Sequence, residues 1–170
     1  DILPPKLRVT ACSHPTSDRA RTLTARSFFT IISPKHYIAS TGKVNKKKGG
    51  KNGGFVLKLK KIPDEIFELN NLEILRVQNN KIKKVPNSLE NLTKLEALCL
   101  CDNELEIVPD TLIKLENLKE LGICNNPKLK TLPDNFDMLK LTSLSISGDL
   151  INKYIDKIAK ITTLKDLDIH

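Results

Sequence analysis

The sequence predicts an α/β solenoid, with parallel strands along a concave face and short helices along a convex one, preceded by a basic, mostly irregular leader. The first observation behind this is a fixed period. Leu75, Leu98, Leu121, Leu144 and Leu167 return every 23 residues, and each opens an LxL-type pair: LRV, LCL, LGI, LSI and LDI. A period of that length means one structural unit stacked on copies of itself, which builds a surface more readily than a pocket. The second is that prolines recur with it: Pro63, Pro86 and Pro109 at 23 residues, and Pro133 one residue later because Pro127 adds a residue after Asn126. The third is an abrupt change of charge. Residues 1–61 hold 14 Lys and Arg against 2 acids, and residues 62–170 hold 14 against 18, so the net +8 is a basic leader joined to an acidic repeat block.

Each unit can be justified in chain order. In LEALCL, Leu98 and Leu100 alternate with Ala97, Cys99 and Cys101, the period-two pattern of a short strand with one buried face. Asn80, Asn103 and Asn126 follow the strands, with Asp149 at the equivalent fourth position. An asparagine amide both donates and accepts, so a stack of them satisfies turn backbone that would otherwise be buried unpaired. Asp149 has no amide donor, which predicts a looser fourth turn. Each proline should then open a short helix, because a first helical turn loses nothing by lacking one N–H and the Asp that follows Pro63, Pro109 and Pro133 suits its positive end. Leucines at threes, such as Leu112, Leu115 and Leu118, supply the stripe that packs on the sheet. After Asp149 the sequence LINKYIDKIAKITTL lacks the proline and spaces Ile151, Tyr154, Ile155 and Ile158 for a longer helix.

Written in register, IPDEIFELNNLEILRVQNNKIKKV and the copies after it resemble the leucine-rich-repeat family, in its LxxLPxxIxxLxxLxxLxLxxNxL subclass of Ras-pathway scaffolds, Roco-type proteins and plant-type intracellular proteins. The resemblance covers about residues 57–170. It divides the chain into a leader with a Lys/Gly linker, 1–54, and a repeat domain, 55–170, of about five units with the last cut short at His170. It implies a protein-binding module in intracellular signalling, with a small GTPase, a phosphatase or a kinase complex among the partners it implies. The same resemblance also fits the recognition segment of a larger multidomain enzyme or of a plant-type immune receptor.

Composition narrows the function classes. His14, His36 and His170 lie in the leader or at the last position, and no nucleophile motif or phosphate-cradling GxxxxGKS/T string occurs, so no catalytic residues and no cofactor are expected. Cys99, Cys101 and Cys124 are the one cluster with potential chemistry. Cys101 and Cys124 stand one period apart on neighbouring strands, but no His or second CxxC accompanies them, so structural thiols are expected and not a metal site. Cysteine-rich flanking caps are lacking, which fits a reducing, cytoplasmic setting. The apolar run Phe28–Ile32 is too short to span a bilayer. Residues 16–41 are Arg- and Ser/Thr-rich in the manner of a transit peptide, and Val44–Gly54, with Lys46, Lys47, Lys48 and Lys51, reads as a solvated linker with the composition of a nuclear-localisation element.

The positions flanking each LxL pair line the concave face. The partner-binding candidates are Glu73, Arg76, Gln78, Glu96, Cys99, Cys101, Asp102, Lys119, Glu120, Cys124 and Ser145, small at the centre and charged at the flanks. With few aromatic residues to stack bases and an acidic repeat block, nucleic acid is not an expected ligand.

Overall fold

Successive strands of this chain lie side by side because each turn of backbone returns to the same place one period later. The computed structural model describes residues 58–170 throughout and, in addition, the backbone of three strands in the leader. In chain order the strands are β1 (Arg8–Ala11), β2 (Thr30–Ser33), β3 (His36–Ile38), β4 (Ile74–Arg76), β5 (Ala97–Cys99), β6 (Glu120–Gly122), β7 (Ser143–Ile146) and β8 (Asp166–Ile169). They form one sheet in the order β1-β8-β7-β6-β5-β4-β3-β2. From β3 to β8 every pairing is parallel, and β4 to β8 pair in a register that places Leu75, Leu98, Leu121, Leu144 and Leu167 side by side. The leader, expected to be mostly irregular, thus supplies a strand beside β8 and a hairpin beside β4. The linker Val44–Gly54, Cys12 and most of residues 16–41 lie outside the described residues.

Leu75, Leu98, Leu121, Leu144 and Leu167 are at most 2% exposed, and the second position of each pair, Val77, Leu100, Ile123 and Ile146, is buried as well. These columns face the apolar residues of the convex side, making one continuous core along the solenoid.

The convex segments are short helices, as the prolines predict, and they are wound as 3-10 helices. Asp64–Glu68, Asn87–Asn91, Asp110–Lys114 and Phe136–Met138 are 3-10 helices, and Pro63, Pro86 and Pro109 are the residues that precede the first three. The cause is the spacing of the leucines. Leu89 donates its N–H to Pro86, Leu92 to Leu89 and Leu95 to Leu92, at 3.1, 3.1 and 2.9 Å, and the same run recurs at 112, 115 and 118. With three residues per turn, side chains three apart eclipse one another, so a stripe at threes faces the core without the drift that 3.6 residues per turn would bring.

The fourth unit is built differently. The α-helix α1 (Gly148–Ile158) replaces the 3-10 segment and buries Leu150, Ile151 and Ile158. It is stitched to the unit before it by long side chains. The Tyr154 hydroxyl accepts the Leu132 N–H at 3.1 Å, Lys153 Nζ donates to the Lys130 carbonyl at 3.1 Å and Lys157 Nζ to the Asp134 carbonyl at 2.6 Å. Both lysines also lie over the Tyr154 ring, with Nζ 5.3 and 5.9 Å from its centre.

Candidate concave binding face

The turn that ends each strand fixes how the concave side chains are presented. Asn103 Oδ1 accepts the Ile82 N–H at 3.0 Å, while its Nδ2 lies 3.0 Å from the Val77 carbonyl, 3.0 Å from Leu100 and 3.1 Å from Cys101. Asn126 repeats this one unit later, accepting from Leu105 and donating towards Leu100, Ile123 and Cys124. Asn80 does the same at the near end, with Leu59, Val77 and Gln78. All three are at most 4% exposed. Each amide therefore ties its own strand end to the preceding unit.

Asp149 does not join this ladder. It is exposed in the first turn of α1, where a carboxylate faces water and the positive end of the helix. The fourth turn is rebuilt by backbone instead: Gly148 donates to the His170 carbonyl at 2.8 Å, and His170 donates to Ile146 at 3.0 Å.

The residue before each ladder asparagine carries a second turn function. Asn79, Asp102 and Asn125 have φ of 60°, 55° and 52°, the left-handed conformation that short Asn and Asp side chains tolerate. Asp102, expected among the partner contacts, is thus a turn residue. It is half-buried, and one of its carboxylate oxygens accepts from Asn125 Nδ2 at 3.0 Å.

Alternation along the strands lays the remaining candidates out as a grid. Ile74, Ala97, Glu120, Ser143 and Asp166 form its first column and Arg76, Cys99, Gly122, Ser145 and Asp168 its second. The third column, two residues further on, is Gln78, Cys101, Cys124, Ser147 and His170. Glu96, Lys119 and Glu120 are exposed, while Glu73, Arg76, Gln78, Cys99 and Ser145 are half-buried. Glu96 and Lys119 pair across neighbouring units at 3.1 Å. As an exposed pair it contributes little to stability. Cys101 and Cys124 are 8% and 3% exposed, so they lie below the open face on which the sequence placed them. Each is covered by its neighbours in the grid: Cys101 contacts Cys99 and Cys124, and Cys124 contacts Ser145.

These thiols polarise one another. The Cys99 thiol is lowered from 9.0 to about 7, chiefly because Cys101 donates a hydrogen bond to it; burial opposes this, and the Arg76 charge assists. Cys101 is pushed up, first by donating to Cys124 and then to Cys99, with burial adding to both. Cys124 is lowered by Cys101, against burial and with help from Ser145. Since the thiolate is the nucleophile, iodoacetamide should alkylate Cys99 with a rate that climbs with pH around a midpoint of about 7. Cys101 should stay unlabelled in the folded chain. Peptide mass spectrometry across a pH series checks both, and a Cys99 midpoint near that of a free thiol would contradict the arrangement. Among the described residues no group of His, Cys, Asp or Glu is placed to hold a metal ion.

Two polar contacts of this face were not anticipated from sequence. Ser145 Oγ lies 3.0 Å from His170 Nε2, and Ser147 Oγ accepts the Asn125 N–H at 3.0 Å. Both join residues more than 20 positions apart, and only the 23-residue register, read column by column, would have brought them together. At the edge of the face a cleft of about 540 Å³ opens between the third turn and the start of α1, lined by Asn125, Pro127, Lys130, Ser147, Asp149 and His170 among others. No helix among the described residues is long and apolar enough to cross a membrane.

Comparison with known proteins agrees with this geometry. A family described as Leucine Rich Repeat matches residues 71–92. No curated protein matches the chain. Among solved structures, an internalin of Listeria monocytogenes is similar at 21% identity and a TM-score of 0.50, over 68% of this chain and 35% of that one. A leucine-rich-repeat protein of Leptospira interrogans is similar at 24% identity and a TM-score of 0.42, over 66% and 36%. The chain therefore spans about a third of the length of either structure. The matched stretch covers one unit of the period, which closes its strand on the buried Asn80, and the buried asparagines Asn103 and Asn126 repeat that leucine-rich-repeat pattern in the units that follow.

Proposed function

We propose that this chain is a non-enzymatic protein-interaction module that receives a partner protein on its concave face, in an intracellular signalling setting. The observation that supports this most directly is the make-up of the grid. Its centre carries small side chains, Ala97, Cys99, Gly122 and Ser145, while charged residues stand at its margins: Arg76 at one end, Asp166 and Asp168 at the other, Glu96, Lys119 and Glu120 along one side. A shallow floor with a charged rim suits a protein segment, whose polar groups meet the rim while its apolar groups cover the centre.

The test is capture of partners from a lysate by the full chain, beside a variant carrying Glu120→Lys and Asp166→Lys. Both residues are exposed and neither belongs to the turns, so the variant should keep its circular dichroism spectrum. A protein retained by the parent and lost by the variant is the expected result. Equal retention on both would reject the concave face as the binding surface.

A further inference from the structure

Three of the chain's thiols meet at one corner of the grid, two on one strand and one on the next, and the sheet register determines what they can do together. Cys99 pairs with Gly122 across β5 and β6. The same ladder continues beyond those strands, with Leu100 donating to the Gly122 carbonyl at 2.8 Å and Asp102 to the Cys124 carbonyl at 3.1 Å. Advancing the register by two residues therefore places Cys101 directly opposite Cys124. Adjacent strands lie about 4.8 Å apart, inside the range of about 4.4–6.8 Å between Cα atoms that a disulfide spans. Cys99 and Cys101 are two residues apart on one strand, about 6.6 Å, at the far limit of that range. Gly122 leaves the space in which their sulfurs meet: a Cβ there would come within 2.9 Å of Cys101 Sγ and 3.3 Å of Cys99 Sγ. Access follows the opposite order, since Cys99 is half-buried and the other two are buried.

We propose that Cys101 and Cys124 close a reversible cross-strand disulfide, and that Cys99 is the thiol through which a low-molecular-weight disulfide first reacts. Cys99 sulfur attacks one sulfur of the small disulfide, forming a mixed disulfide and releasing one thiolate, which takes up a proton. Cys101 then attacks the Cys99 sulfur, its proton passing to the second departing thiolate. Cys124 finally attacks Cys101 sulfur, passing its proton to the released Cys99. Two protein thiols are oxidised and one small disulfide is reduced to two thiols. The final bond lies between neighbouring strands whose Cβ atoms must be drawn together to about 3.8 Å, and such strain keeps a disulfide easy to reduce. Acidification of Cys99 by Cys101 and Arg76 favours the first attack, and the retained proton of Cys101 makes it a poor first nucleophile.

The experiment uses the full chain with Cys12→Ser, reduced and then exposed to oxidised glutathione. Intact mass should fall by two hydrogens with no lasting glutathione adduct, dithiothreitol should reverse the change, and fragmentation of the non-reduced peptides should join Cys101 to Cys124. Adding Cys99→Ser should slow closure by about tenfold while leaving the same link, because the entry step then falls to a buried thiol. Cys124→Ser should halt the reaction short of that link. A stable glutathione adduct without the link, a terminal Cys99–Cys101 bond, or no reaction would overturn the proposal. A closure rate unchanged by Cys99→Ser would overturn the entry role. The parent chain alone decides the first three outcomes, so they do not depend on a variant that folds.

Discussion

Leu121→Ala should lower the unfolding free energy by about 4 kcal/mol, the upper half of what emptying a buried leucine site costs. Leu121 is 2% exposed and stands between Leu98 and Leu144 in adjacent strands, so the cavity opens on both of its unit interfaces at once. Collapse from either side would pull a strand out of register with its neighbour, which is why little relaxation is available. Leu121→Ile keeps the volume and should cost below about 1.5 kcal/mol. Urea unfolding followed by circular dichroism distinguishes them. Equal midpoints for the two variants would show that this column does not carry the packing assigned to it.

The second large effect is expected at the asparagine ladder. Asn103→Leu preserves size and removes every polar contact of the side chain. The carbonyls of Val77, Leu100 and Cys101 keep other donors, from Asn80, Asn126 and the Asn79 backbone. The N–H of Ile82 loses its acceptor inside the core. One orphaned buried donor together with the lost hydrogen bonds amounts to about 3 kcal/mol. Asn80→Leu should cost only about 1 kcal/mol, because the Leu59 N–H it would orphan is only partly buried. The contrast between an interior and a near-end position is the informative readout. If both variants lose the same stability, the amides are not acting through burial.

These two sites also mark where the sequence is readable. The leucine columns and the buried asparagines follow from a period and an alternation, both of which are properties of the chain as a string. The missing proline and the helical spacing of Ile151, Tyr154, Ile155 and Ile158 predicted the longer helix of the fourth unit, which α1 provides. The form of the convex turns did not follow as easily. Proline next to acid reads as the start of a short helix without saying of which kind, and leucines at strict threes give it 3-10 geometry because the core contacts depend on that spacing. Asp149 shows the limit of column logic: it holds the ladder position by count, but a helix begins one residue earlier and turns its side chain outward. In the site, the exposed charges of Glu96, Lys119 and Glu120 were legible, while the left-handed backbone of Asp102 and the burial of Cys101 and Cys124 were not. Those depend on which neighbour covers a small side chain, a three-dimensional fact that spacing alone does not encode.

The contacts between units share one property that bears on how the molecule would carry load. Lys94 reaches Asn71, Lys114 reaches Glu90, Asn117 reaches Thr93, Lys128 reaches Glu104 and Lys153 reaches Lys130, each a step of 23 or 24 residues along the chain. Bonds of this kind connect a unit only with the next one, so the units from β4 to β8 act as links in series, while the leader, paired with β8 through β1 and with β4 through β3, joins the two ends of that series. Once the leader's pairing at either end has given way, a pull along the solenoid would be borne equally by every junction and would open the weakest first, leaving the others intact. The junction tied by Tyr154, Lys153 and Lys157 holds by three fastenings from a single helix where the earlier junctions hold by a buried asparagine.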